Sequence, residues 1–156
     1  MILDKLKEVP NKKSLILITS GALIAFILLN LIMSPIEATL KGGTGYGVLD
    51  FEFAWTAEQI RTIFDAWGSE GKFMEATAIY WDFLYIPAYG TLIAGCNLLV
   101  VRNLQGKLQT IGLWIVVSPY VAGVLDIIEN ISLLLMIYNN AFIDLGSPLI
   151  ASICAT

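Results

Sequence analysis

Between Leu108 and Tyr138 the chain reads LQTIGLWIVVSPYVAGVLDIIENISLLLMIY, an apolar run interrupted by Asp126, Glu129 and Asn130 and free of Lys, Arg and His. Such a run exceeds the roughly 20 residues that an α-helix needs to cross a hydrocarbon core. Two more runs are long enough, at 14–33 and 73–101, and the second carries Asp82. With 57% hydrophobic and 14% charged residues and a mean hydropathy of +0.76, the chain is more apolar than a soluble domain of 156 residues requires. The reading is an all-α membrane protein. A single domain over 1–156 forms a helical bundle of three complete transmembrane helices, at about 14–33, 73–101 and 108–138. The last two exceed one span, so they tilt, kink or project beyond it. An apolar run from about 148 reaches Thr156 without spanning length and reads as the start of a fourth helix, the chain then being part of a four-helix protein.

Charge orients the bundle. Lys5, Lys7, Lys12 and Lys13 precede the first run, and Arg102 and Lys107 sit in the turn between the second and third. The loop 34–72 is instead rich in acids, among them Glu37, Asp50, Glu52, Glu58, Asp65 and Glu70. The positive-inside bias places the N-terminus and the 102–107 turn in the cytoplasm of a bacterial inner membrane, with 34–72 and 139–147 outside. The first run is too long for a signal-peptide core and its exit lacks a cleavage pattern, so it reads as a retained anchor. Cys96 and Cys154 fall towards opposite faces and are expected as free thiols.

The outer loop holds Gly42, Gly43, Gly45 and Gly47, then a helix over about 57–67 with a capping box from Thr56 to Gln59 and a staple from Trp55 to Ile60. Ile60, Ile63, Phe64 and Trp67 share one face of this helix. That suits a short helix lying on the outer membrane surface and lidding the bundle, or else one that docks a partner, with Trp55, Trp67 and Trp81 in an interfacial aromatic belt. Thr44–Gly45–Tyr46–Gly47 has the composition of a potassium filter without the preceding pore helix, and no strand or Gly-Lys-Ser/Thr makes it a nucleotide loop.

Depth makes the acids specific. At about 1.5 Å per residue, Asp82 and Glu129 both fall roughly 12–14 Å below the outer ends of antiparallel helices. Asp126 lies one turn deeper, sharing a face with Glu129 and Asn130, while Tyr85 and Tyr89 share the face of Asp82. Pro119, Ala122 and Gly123 continue the Asp126 stripe with residues that let another helix approach, and Pro87 and Pro119 are expected to kink their helices and open space between them. An ionised acid in hydrocarbon costs several kcal/mol, so three of them must face the interior and be protonated, hydrogen-bonded or bound to a cation. Asp82, Asp126, Glu129, Asn130, Tyr85 and Tyr89 are therefore the candidate ligand-, cation- or proton-binding residues. The competing reading is interhelical glue, with the acids bonded to Tyr or Asn.

Trp81–Asp82–Phe83–Leu84–Tyr85–Ile86–Pro87–Ala88–Tyr89, with Asp50–Phe51–Glu52–Phe53–Ala54–Trp55 before it and Asp126–Ile127–Ile128–Glu129–Asn130 after it, resembles a family of small polytopic bacterial membrane proteins with no assigned activity. The resemblance covers most of 48–138 and implies topology more than chemistry. A fainter one is to the sterol-isomerase and sigma-2-receptor four-helix superfamily, which implies a cavity beside an intramembrane acid and a Pro on the second helix. This chain departs from it in having no His and in placing Asp126 beside Glu129.

Three functional classes follow. The first is a binding protein or accessory subunit whose acid cluster holds a polar ligand, cation or proton, with the lipid bilayer and other membrane-protein subunits as partners and no nucleic acid. The second is a proton- or cation-coupled transporter, although no inverted repeat is visible. The third is a membrane-embedded enzyme using acid and base carboxylates on a lipid-like substrate. With no His, no nucleophile arrangement and no metal-ligand spacing, no catalytic residue, metal or cofactor is assigned.

Overall fold

The computed structural model describes residues 5–155. It is 85% helix, and no strand occurs among the described residues. The elements are α1 (Lys12–Thr44), α2 (Val48–Glu52), α3 (Ala57–Val101), α4 (Gly106–Tyr138), α5 (Ala141–Asp144) and α6 (Ser147–Cys154). Three of them, α1, α3 and α4, are long and apolar enough to cross a membrane. Their outward faces are apolar: Leu17, Ile24 and Leu31 on α1 and Trp114, Val121 and Val124 on α4 are exposed. Lipid rather than water suits such faces.

The helices outrun the spans read from hydropathy. α1 continues eleven residues beyond Met33, the expected exit, straight through Pro35. Ile36 to Lys41 are able helix formers, and the Thr39 hydroxyl donates to the Pro35 carbonyl at 2.8 Å. The helix stops where Gly45 takes a φ of 81° and its N–H donates to the Lys41 carbonyl. Glu37 is therefore a helical residue and not a loop charge. Likewise the outer helix and the second span are one element, α3, interrupted only at Gly68 with φ 61° and ψ −162°. The capping box forms as the Thr56 and Gln59 side chains accept each other's backbone N–H, at 3.2 and 3.1 Å. Helical geometry continues through Pro87 and Pro119, so neither proline breaks its helix as Gly68 does.

The chain forms two compact units, and each long helix contributes to both. The first comprises Met1–Leu28 and Tyr85–Gly123. Its core is Leu15, Ala94, Leu98, Val101, Leu113 and Val116. Close approach here depends on small residues: a Cβ on Gly95 would overlap the Thr19 side chain, and one on Gly123 would meet Ile86 at 2.9 Å. Both Arg102 Nε and Nη2 donate to the Leu6 carbonyl, at 3.0 and 2.8 Å.

The second unit comprises Leu29–Leu84 and Val124–Thr156. Leu40, Phe51, Ile60, Trp67, Ile79, Leu133, Met136 and Ile143 are central to its core. The apolar face of the 57–67 segment packs into this core. Trp67 is only 4% exposed, touches Phe51 edge-on at 5.3 Å, and donates Nε1–H to the Tyr46 carbonyl at 2.9 Å. It therefore leaves the expected aromatic belt, while Trp55 and Trp81 stay exposed. A buried indole with its one donor satisfied is worth more packed against Phe51 and Phe64 than at an interface.

The two units differ sharply in charge. The first carries six basic and two acidic residues, the second three basic and eleven acidic.

Candidate functional site

The acids that matter gather in the second unit. α3 supplies Glu75 and Asp82, seven residues and so about two turns apart, which puts them on one face. α4 supplies Asp126, Glu129 and Asn130 on its own inner stripe. Asn130 Nδ2 donates to Asp82 Oδ2 at 2.7 Å, which joins the two helices directly. Glu129 and Asn130 are buried, each 6% exposed, and Asp126 acts electrostatically on both Asp82 and Glu129. Four of the residues singled out from sequence, Asp82, Asp126, Glu129 and Asn130, thus lie together.

Tyr85 and Tyr89 belong to the first unit, where Tyr85 stacks on Phe26 at 5.1 Å and tilts against Tyr89 at 5.7 Å. A cavity of about 230 Å³ in that unit is lined by apolar residues such as Leu15, Ala94, Leu98 and Val116, and carries no carboxylate.

Three further acids belong to the cluster. Glu75 has no exposed surface, and neither carboxylate oxygen has a hydrogen-bond partner among the described residues. It interacts electrostatically with Glu52, Glu37 and Asp82. Glu52 ends the short helix α2, and it is the carboxylate acting most strongly on both Glu75 and Glu129. Burial first, then Asp82, Glu37 and Asp126, push the Glu52 carboxyl up to about 7. Glu37 on α1 accepts the Val48 N–H at 2.9 Å and so fixes the start of α2.

Local chemistry explains that placement. Gly47 leaves room for the Glu37 carboxylate, whose Oε1 occupies the space a Cβ would need. Asp50 Oδ2 accepts the Gly47 N–H at 2.8 Å. At the other end of α2, the buried Ser152 hydroxyl of α6 donates to the Glu52 carbonyl at 2.8 Å. The glycine-rich stretch therefore ends in a held turn that brings Glu52 to the cluster.

The basic side chains of this unit are engaged elsewhere. Lys41 pairs with Asp50 at 3.9 Å, Arg61 with Asp144 at 2.7 Å, and Lys72 lies over the Phe64 ring at 5.4 Å. Among the described residues no group of acids, Cys and His has the geometry to hold a metal ion. Cys96 and Cys154 are free thiols. The arrangement is a set of carboxyls in an apolar surround, able to exchange a proton or to bind a small positive group. Comparison of the chain with known protein families, with curated proteins and with solved structures finds no match.

Proposed function

We propose that the chain is a small multi-pass protein of the bacterial inner membrane that binds a proton or a small cationic group at the Glu52–Glu75–Asp82–Asp126–Glu129 cluster, as a binding or accessory subunit of a larger membrane assembly. The observation that carries this reading is Glu75. A carboxyl with no exposed surface and no partner loses several kcal/mol of solvation, which a packed apolar residue at that position would not lose. Placing it among other acids compounds the loss, unless a positive species occupies the site for part of the working cycle. The orientation rests on Lys5, Lys7, Lys12, Lys13, Arg102 and Lys107, which put the N-terminus and the α3–α4 turn in the cytoplasm and the acid-rich end outside.

One observation favours a structural role for part of the cluster. The Asn130–Asp82 hydrogen bond ties α4 to α3 as glue would. Thermal unfolding in lipid nanodiscs separates the readings. It would be followed at constant ionic strength with sodium, potassium, ethanolammonium or choline as the only cation, and across pH. A bound cation at a hundred times its dissociation constant stabilises by about 2.7 kcal/mol, so one cation or low pH should raise the midpoint by several degrees, and Glu75→Gln should abolish that rise. Identical midpoints in every cation and at every pH would leave the carboxylates as glue.

A further inference from the structure

We propose that Glu52 is the residue through which the buried carboxylates exchange protons with the outer water, with Glu75 as the group it serves. This rests on the reading of the cluster as a binding site and names its occupant as a proton. Three placements carry it. Glu75 is fully buried with both oxygens unpartnered, so any proton it gains or loses must come through a neighbour. Glu52 is half-buried, reaching both the interior and the surface, and is the acid that Glu75 feels most. Its backbone is held at both ends of α2, by Glu37 on the Val48 N–H and by Ser152 on the Glu52 carbonyl, so the residue is presented from a held turn.

The groups around Glu52 set its charge. Glu37 faces it from α1, Glu75 and Asp82 from α3, and Asp126 and Glu129 from α4. On α2 itself Asp50 is held by the Gly47 N–H and Lys41, and α6 contributes the Ser152 hydroxyl. Lys41, Arg61 and Lys72 are engaged elsewhere, and burial and the neighbouring acids push the Glu52 carboxyl up to about 7. The Glu75 oxygens have no hydrogen-bond partner, so in the exchange step the Glu52 side chain must first turn into reach of them; its O–H bond then breaks and the proton goes to the Glu75 carboxylate. Glu52 is left ionised and then takes a proton from water, and the reverse sequence empties Glu75.

The test uses the full chain in lipid nanodiscs, with infrared absorption of protonated carboxyls recorded after transfer from H2O to D2O. Wild type should show a buried carboxyl band that Glu75→Gln removes. In Glu52→Gln that band should persist but exchange at least about tenfold more slowly, as expected when a positioned proton carrier is lost, and Glu52→Asp should restore the rate. Circular dichroism and gel filtration report whether each variant is folded, and Glu52→Asp keeps the test decisive where Glu52→Gln is not. Wild-type exchange in Glu52→Gln overturns the role of Glu52; the cluster reading then stands on its own if cation- or pH-dependent stabilisation survives in that variant. A wild type with no Glu75-dependent band, together with unfolding midpoints indifferent to cation and pH, would remove both.

Discussion

Glu52 links the charge of a single carboxyl to the stability of the fold. Its value rises from 4.5 to about 7, because burial and then Asp82, Glu37 and Asp126 all oppose its ionisation in the folded chain. Between those two values the folded state holds a proton that the unfolded state has released. Stability contributed by Glu52 is therefore intact below about pH 4.5 and is lost as pH rises towards 7, by up to about 3 kcal/mol. Unfolding in micelles across that range should show a decline, and Glu52→Gln should make it shallower while gaining stability at the alkaline end; a wild type equally stable throughout would refute the coupling. Asp82, Asp126, Glu129 and Asn130 were legible in the sequence because acids inside apolar runs at i, i+3 and i+4 spacing stand out against their surroundings. Glu75 was not, since two residues after Phe73 it reads as the polar end of a span. Its one signal was the seven-residue interval to Asp82, which repeats a helical face. Glu52 and Glu37 read as solvated loop charges, because only tertiary docking of α2 brings them inward.

Gly68 sets the relation between the two parts of α3. With φ 61° and ψ −162° it occupies a region open essentially to glycine alone, although no neighbouring atom would obstruct a Cβ there. Gly68→Ala should therefore destabilise by about 1–3 kcal/mol through backbone strain and not through a clash. Gly21→Ala, in open space within α1, should cost nothing measurable, so unfolding midpoints of the two variants side by side isolate the effect; equal midpoints would mean that the kink is not held by Gly68. The break at Gly68 and the Thr56 cap were readable, because glycine and a capping box are local signals. The continuation of α1 past Pro35 was not. A proline followed by acids and glycines looks like an exit, whereas a proline costs only one backbone hydrogen bond in a helix whose next residues are good formers. The destination of the 57–67 apolar face was equally hidden. A face of Ile60, Ile63, Phe64 and Trp67 suits lipid as well as protein, and it was the unforeseen Phe51 of α2 that made the protein side the better one.

At the scale of the whole molecule, the proposed orientation rests on basic residues that act during insertion, and the fold itself does not depend on it. The exposed apolar faces of α1 and α4 suit lipid but are indifferent to which way the chain points. Asn103, just after α3, and Asn139, just after α4, lie at opposite ends of α4, and both are exposed. In a chain whose Cys96 and Cys154 have been changed to Ala, Asn139→Cys should react with a membrane-impermeant maleimide on intact spheroplasts. Asn103→Cys should react only after the membrane is opened. The reverse pattern would put the acid cluster towards the cytoplasm, and Glu52 would then exchange protons with the cell interior. Labelling of both positions from one side would mean that α4 does not cross. The assay thus decides more than topology: on the proposed role of Glu52, the side on which Asn139→Cys reacts is the side with which it exchanges protons.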